Sequence, residues 1–124
     1  MALILVIEDS SFMRNKIGNI LKRGGHEIIE AEDGIKGLQM TIERSPDCIL
    51  LDLIMPGMDG VKLLMTLRER GVMPPVVIVT ADIQESTIKQ CRELGAAAVV
   101  NKPPGEEELL NTVRNVLRTG KDKG

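Results

Sequence analysis

The chain contains no tryptophan, no tyrosine and a single phenylalanine, Phe12. A platform for single-stranded nucleic acid stacks bases on several aromatic rings, so that function is excluded. The core must come from Leu, Ile, Val, Ala and Met instead. A basic excess is missing too: 16 Lys and Arg face 18 Asp and Glu, for a formal net charge of −2. Without surplus cations to neutralise duplex phosphates, nucleic acid is not an expected partner. No apolar run approaches the roughly 20 residues that span a bilayer. The apolar start, residues 2–7, follows no cationic region and runs straight into Glu8 and Asp9, unlike a secretory signal. No membrane partner and a cytoplasmic location are therefore expected. Cys48 and Cys91 are far apart, each in an apolar context, and read as reduced buried thiols. The lone histidine, His26, reads as a surface or capping residue.

What is present is one domain's length of chain, 124 residues with 43% apolar content, enough for an ordinary core. Short apolar runs alternate with amphipathic stretches. The apolar runs are residues 2–7, 48–51, 76–79 and 97–100, and residues 27–31, with Ile28-Ile29 inside, read as a further short strand. Between them, Met13, Ile17, Ile20 and Leu21 fall on one face of a helix, with Ser10 or Ser11 as its cap. Ile35, Leu38 and Ile42 mark a second helix, bounded by Pro46. Val61, Leu64 and Leu67 mark a third, Ile88, Cys91 and Leu94 a fourth, and Leu109, Leu110, Val113, Val116 and Leu117 a fifth. The order is strand–helix repeated five times. Strands that are apolar throughout imply a parallel sheet covered by helices on both faces. Right-handed crossovers make it an α/β, doubly wound, five-stranded sheet of flavodoxin-like type. The ligand site of such a sheet lies beyond the carboxyl ends of its strands, where strand order reverses.

The residues at those ends form a set. Glu8 and Asp9 follow strand one, Asp52 follows strand three, Thr80 and Ala81 follow strand four, and Lys102 and Pro103 follow strand five. Carboxylates brought together repel unless a cation compensates. Hard oxygen ligands with room for water suit Mg²⁺. No His or Cys belongs to the rim, which disfavours zinc and copper. A lysine, a hydroxyl and a divalent metal meet the needs of a transferring phosphoryl group. Asp52, on the expected central strand, is the best candidate nucleophile.

These pieces carry a resemblance. Ile7-Glu8-Asp9-Ser10-Ser11, the run from Leu50 through Asp52 to Gly60, Val79-Thr80-Ala81 and Asn101-Lys102-Pro103 stand in order against the strand pattern. Together they resemble a single-domain, CheY-like response-regulator receiver domain of two-component signalling. The resemblance spans nearly the whole chain and implies a receiver domain over residues 1–120, with a polar tail over 121–124. It implies that Asp52 accepts a phosphoryl group from a histidine kinase phosphohistidine. Asp9, Asp52 and the backbone carbonyl of Ile54 would ligate Mg²⁺, with Glu8 acting through a metal-bound water. Thr80, Lys102 and the Ala81 amide would contact the phosphoryl oxygens. Lys102-Pro103 would be a cis peptide. Such a protein catalyses its own phosphoryl transfer and autodephosphorylation and is not a conventional enzyme.

The implied partners are a sensor histidine kinase or phosphotransfer protein, a downstream protein target and an aspartyl-phosphate phosphatase. The implied states are a monomer or a phosphorylation-linked dimer. The output face would be helix four, strand five and helix five. The Asp9-Ser10-Ser11-Phe12-Met13-Arg14 string is similar to that of chemotaxis receivers. Val99 stands where many members carry an aromatic switch residue, so an aromatic switch is not expected. Ile54 and Asp82 occupy positions that tune dephosphorylation. Two alternatives stay open: a phosphorelay shuttle, and a degenerate receiver that acts only as a protein-interaction module. A dehalogenase-like phosphatase is disfavoured because its nucleophile follows strand one, and a flavodoxin-like electron carrier because aromatics are lacking. Nucleotide binding lacks a Gly-rich loop.

Overall fold

The computed structural model describes residues 1–123 apart from Pro56, Asp82 and Ile83, with the backbone alone for residues 120–123. Asp82 therefore lies outside the described residues. Strands β1 (Leu3–Ile7), β2 (Glu27–Ala31), β3 (Cys48–Leu51), β4 (Val76–Thr80) and β5 (Ala98–Asn101) alternate with five helices. These are α1 (Ser11–Arg23), α2 (Gly34–Arg44), α3 (Gly60–Arg70), α4 (Glu85–Glu93) and α5 (Glu106–Lys123). The last helix runs through most of the segment expected as a polar tail. All strands are parallel in the order β2-β1-β3-β4-β5. The doubly wound sheet is thus present, with β3 central and strand order reversing between β1 and β3.

Alternate strand residues feed two cores. Ile4, Val6, Cys48, Leu50, Val77, Val79 and Val100 face α1 and α5, meeting Ile17, Leu21, Leu109 and Val113. Leu5, Ile7, Ile49, Leu51 and Ile78 face the other way, onto Leu63, Leu64, Leu67 and Cys91. Burying each such aliphatic side chain contributes about 1.5–3 kcal/mol before the entropy of ordering it. Phe12, the one aromatic ring, is 70% exposed and adds nothing to either core.

Helix starts follow local chemistry. Ser10 caps α1 by accepting the Met13 N–H at 3.2 Å, Asp33 caps α2 through the Lys36 N–H at 2.8 Å, and Asp59 caps α3 through the Lys62 N–H at 2.9 Å. The buried face of α2 differs from the expected stripe. Ile35 and Ile42 are exposed, whereas Gly34, Gly37 and Thr41 are buried. A Cβ at Gly37 would sit 2.5 Å from Ile7 Cδ1. The helix lies so close to β1 that glycine, not an aliphatic side chain, forms the contact.

Two loop glycines near the third strand have different reasons. Gly57 adopts φ +77°, a left-handed conformation that suits glycine. Gly60 does not; it is required by close approach. A Cβ there would lie 2.5 Å from the Asp52 carbonyl oxygen and 2.6 Å from Leu53 Cα. Gly60→Ala should lower stability by about 1–3 kcal/mol through this overpacking, read as a lower urea midpoint at unchanged slope. The thiols give a second test. Cys48 and Cys91 form no disulfide and are buried in cores on opposite faces of the sheet, and burial pushes the Cys48 thiol up to about 12. Ellman's reagent should label neither cysteine in the folded chain and both after unfolding in urea; rapid labelling of native protein would contradict this packing.

Candidate functional site

The sheet delivers its acids by ending strands. β1 ends at Ile7 and releases Glu8 and Asp9; β3, whose residues are all buried, ends at Leu51 and releases Asp52. The Asp52 N–H donates to the Ile7 carbonyl at 3.1 Å, continuing the β1–β3 ladder one residue past the strand. The two acidic positions therefore flank the reversal of strand order. Glu8, Asp9 and Asp52 bring one carboxylate oxygen each to within 4.8 Å of one another. Glu8 and Asp52 are buried, at 1% and 6% exposure, while Asp9 is exposed.

The cluster is electrostatically unfavourable by itself. At 4.8 Å two full charges repel by roughly 3 kcal/mol in an effective dielectric near 20, more than an ordinary hydrogen bond returns. The Asp9 carboxyl is held above its ordinary value of 3.8, first by its hydrogen bond with Glu8, then by burial and the Glu8 charge. Lys102 supplies the one cation the described residues place among the acids. Its ammonium pairs with Glu8 Oε1 and lies 3.3 Å from Asp52 Oδ2. Burial alone would lower Lys102; the hydrogen bond to Glu8 and the charges of Asp52 and Glu8 outweigh it, so its pKa rises above 10.5. One ammonium against three carboxylates leaves room for a divalent cation. The hard oxygen donors fit Mg²⁺ and offer nothing that selects a softer metal.

Each expected site residue among the described residues has a definite place. Asp52 is fixed at both oxygens: Oδ1 accepts the Ile54 N–H at 3.3 Å and Oδ2 faces Lys102. The Ile54 side chain projects into solvent at 68% exposure. Thr80 is buried at the end of β4, and its carbonyl accepts the Lys102 N–H at 2.9 Å. Ala81 follows it, exposed. The Lys102-Pro103 bond is cis. Val99 is half-buried on β5, packed against the core beneath α3 and α4. His26 lies on the opposite rim, half-buried, its imidazole lowered by burial and then by the N-terminal charge.

The sequence reading assigned no role to Arg14 or to the Ser10 amide. The Arg14 guanidinium donates to the Glu8 carbonyl at 2.8 Å and lies 3.4 Å from Glu30 Oε1; the Ser10 N–H donates to Glu8 Oε2 at 3.2 Å. The only sequence signal was position: Arg14 stands one helical turn past the cap, on the helix that leaves the acids.

Comparison with known proteins agrees with this geometry. Residues 4–114 match the response regulator receiver domain family. Protein PilH of Pseudomonas aeruginosa is 34% identical over 119 residues, covering 94% of this chain and 98% of that protein. The chemotaxis protein CheY of Bacillus subtilis is 30% identical over 115 residues, covering 92% and 96%. The solved structure of the chemotaxis protein CheY4 of Vibrio cholerae superposes with a TM-score of 0.88 at 27% identity, over 94% of this chain and 98% of that one. This chain belongs to the response regulator receiver domain family and is a CheY-like receiver of two-component signalling.

Proposed function

We propose that the chain is a phosphorylation switch in which Asp52 takes a phosphoryl group from a phosphohistidine on a sensor kinase or phosphotransfer protein. The observation that carries this is the convergence of Glu8, Asp9 and Asp52 with Lys102 on one rim. An Asp52 oxygen forms the new O–P bond, the N–P bond to imidazole breaks, and its electron pair returns to the ring nitrogen. Asp9, Asp52 and the Ile54 carbonyl would hold Mg²⁺, with Glu8 reaching it through water; the ion supplies charge neutralisation at the transferring group. Lys102 would pair with one phosphoryl oxygen, while the Thr80 hydroxyl and the Ala81 amide would donate to others. Ile54, an exposed apolar side chain two residues past Asp52, would hinder the water that attacks the acyl phosphate. The exposed face of α4 with β5 and α5 would meet the downstream target. Two of the relatives are named chemotaxis proteins, which favours a chemotaxis output over a phosphorelay shuttle.

Incubation with Mg²⁺ and acetyl phosphate should add one phosphoryl mass to the chain. The adduct should be absent in EDTA and absent in Asp52→Asn. A folded wild type that gains no mass while binding Mg²⁺ would point to the degenerate module. The repulsion within the cluster gives a second expectation. Asp9→Asn should raise the melting temperature in EDTA by a few degrees, since about 1 kcal/mol moves a small domain by several degrees. The same variant should lose most of the stabilisation that Mg²⁺ gives the wild type. Equal Mg²⁺-dependent shifts in both proteins would remove Asp9 from the ligand set.

A further inference from the structure

Glu8 is held through its backbone and its carboxylate. Its N–H donates to the Ala31 carbonyl at 3.1 Å, tying it to β2. Its carboxylate is shared between the Ser10 N–H and the Lys102 ammonium. Its carbonyl accepts from Arg14 at 2.8 Å. That carbonyl belongs to the same planar peptide unit as the Asp9 nitrogen. Fixing the oxygen therefore fixes the plane from which Asp9 departs. Asp9 needs such a constraint, because its side chain is exposed and the hydrogen bond it shares with Glu8 depends on how the Glu8–Asp9 peptide is set.

Arg14 is suited to the task. Its side chain is 18% exposed, and Glu30 on β2 lies 3.4 Å from Nε while Nη1 serves Glu8. The guanidinium uses two edges of its planar fork on two acceptors, the Glu8 carbonyl and the Glu30 carboxylate, which a lysine cannot do with one ammonium. Its charge faces Glu30 and a carbonyl oxygen.

We infer that Arg14 is a positioning residue for the acidic cluster: by holding the Glu8 carbonyl it sets the Glu8–Asp9 peptide, and with it the separation of the carboxylates that face the metal. This rests on the proposed Mg²⁺ site. Arg14 touches neither metal nor phosphoryl group and acts through Glu8, as outer partners of metal ligands do.

The test is Mg²⁺ titration calorimetry on the full chain, wild type against Arg14→Met and Arg14→Lys, with melting curves in EDTA as the folding control. Arg14→Met should raise the Mg²⁺ Kd roughly 10-fold. Arg14→Lys, which keeps the charge but not the fork, should fall between the two. The Mg²⁺ concentration that half-saturates phosphorylation by acetyl phosphate should move by the same factor, with the rate at saturating Mg²⁺ unchanged. An electrostatic role predicts the opposite sign, because removing a cation near three carboxylates tightens Mg²⁺. A folded Arg14→Met with an unchanged or lower Kd overturns the inference. Should Arg14→Met not fold, Arg14→Lys decides by the same criterion: a weakened Kd at constant charge supports the role, an unchanged one overturns it. A wild type that binds no Mg²⁺ overturns the metal site beneath, and the role with it.

Discussion

Three carboxylates held within 4.8 Å of one another are the constraint on which the rest of this molecule depends. Their mutual repulsion opposes folding, and the chain offsets it with few tools. Lys102 contributes one positive charge from the far side of the sheet, and backbone N–H groups of Ser10 and Ile54 contribute directed hydrogen bonds. Neither offset neutralises the cluster. A site left negative in this way suits a divalent cation, and the proposed phosphorylation would act on a resting state that is already unfavourable.

Such a site needs a stiff frame, and the frame is aliphatic. β3 and β4 are buried along their whole length, with helices covering both faces of the sheet. Near the site the frame relies on close approach at glycines. Gly60 places the start of α3 against the Asp52 carbonyl, and Gly37 places α2 on Ile7, one residue before the acids. These contacts leave Asp52 little freedom to retreat from its neighbours, so the electrostatic cost stays in place instead of relaxing away.

Much of this was legible in the sequence, for physical reasons. Short continuous apolar runs such as Cys48–Leu51 and the β-branched run of β4, each alternating with a helical stretch, point to buried parallel strands, which puts the acids, hydroxyl and lysine that follow them on one rim. The residues Glu27–Ala31 and Cys48–Leu51 read as strands and are strands. Other features were hidden. The stripe Ile35–Leu38–Ile42 suggested the inner face of α2, yet two of its members are exposed; periodicity counts apolar side chains and is blind to a helix that packs through glycine. Gly60 is required for its missing Cβ, a close approach that no local pattern in the sequence signals. Arg14 was silent because its partners, a carbonyl at Glu8 and a carboxylate on β2, are adjacent only after the β1–β2 crossover closes.

Val99 bears on how a signal would leave the site. A ring at that place could turn between buried and exposed positions and so report on the strand beside it. Valine has only a stiff χ1, and here it packs, half-buried, against the core beneath α3 and α4. In the proposed switch, a side-chain flip at Val99 would therefore carry little signal. The remaining route is the backbone. Lys102 is joined to Thr80 by its own amide at 2.9 Å, so the lysine that would grip a phosphoryl oxygen and the threonine that would bond another share one hydrogen-bonded strand pair. A pull on either side chain is a pull on the β4–β5 edge, and the segments leaving that edge lead into α4 and α5. In this chain the proposed switch would act as a displacement of the β4–β5 edge and its helices, with Thr80 and Lys102 as the two points where phosphoryl contact becomes movement.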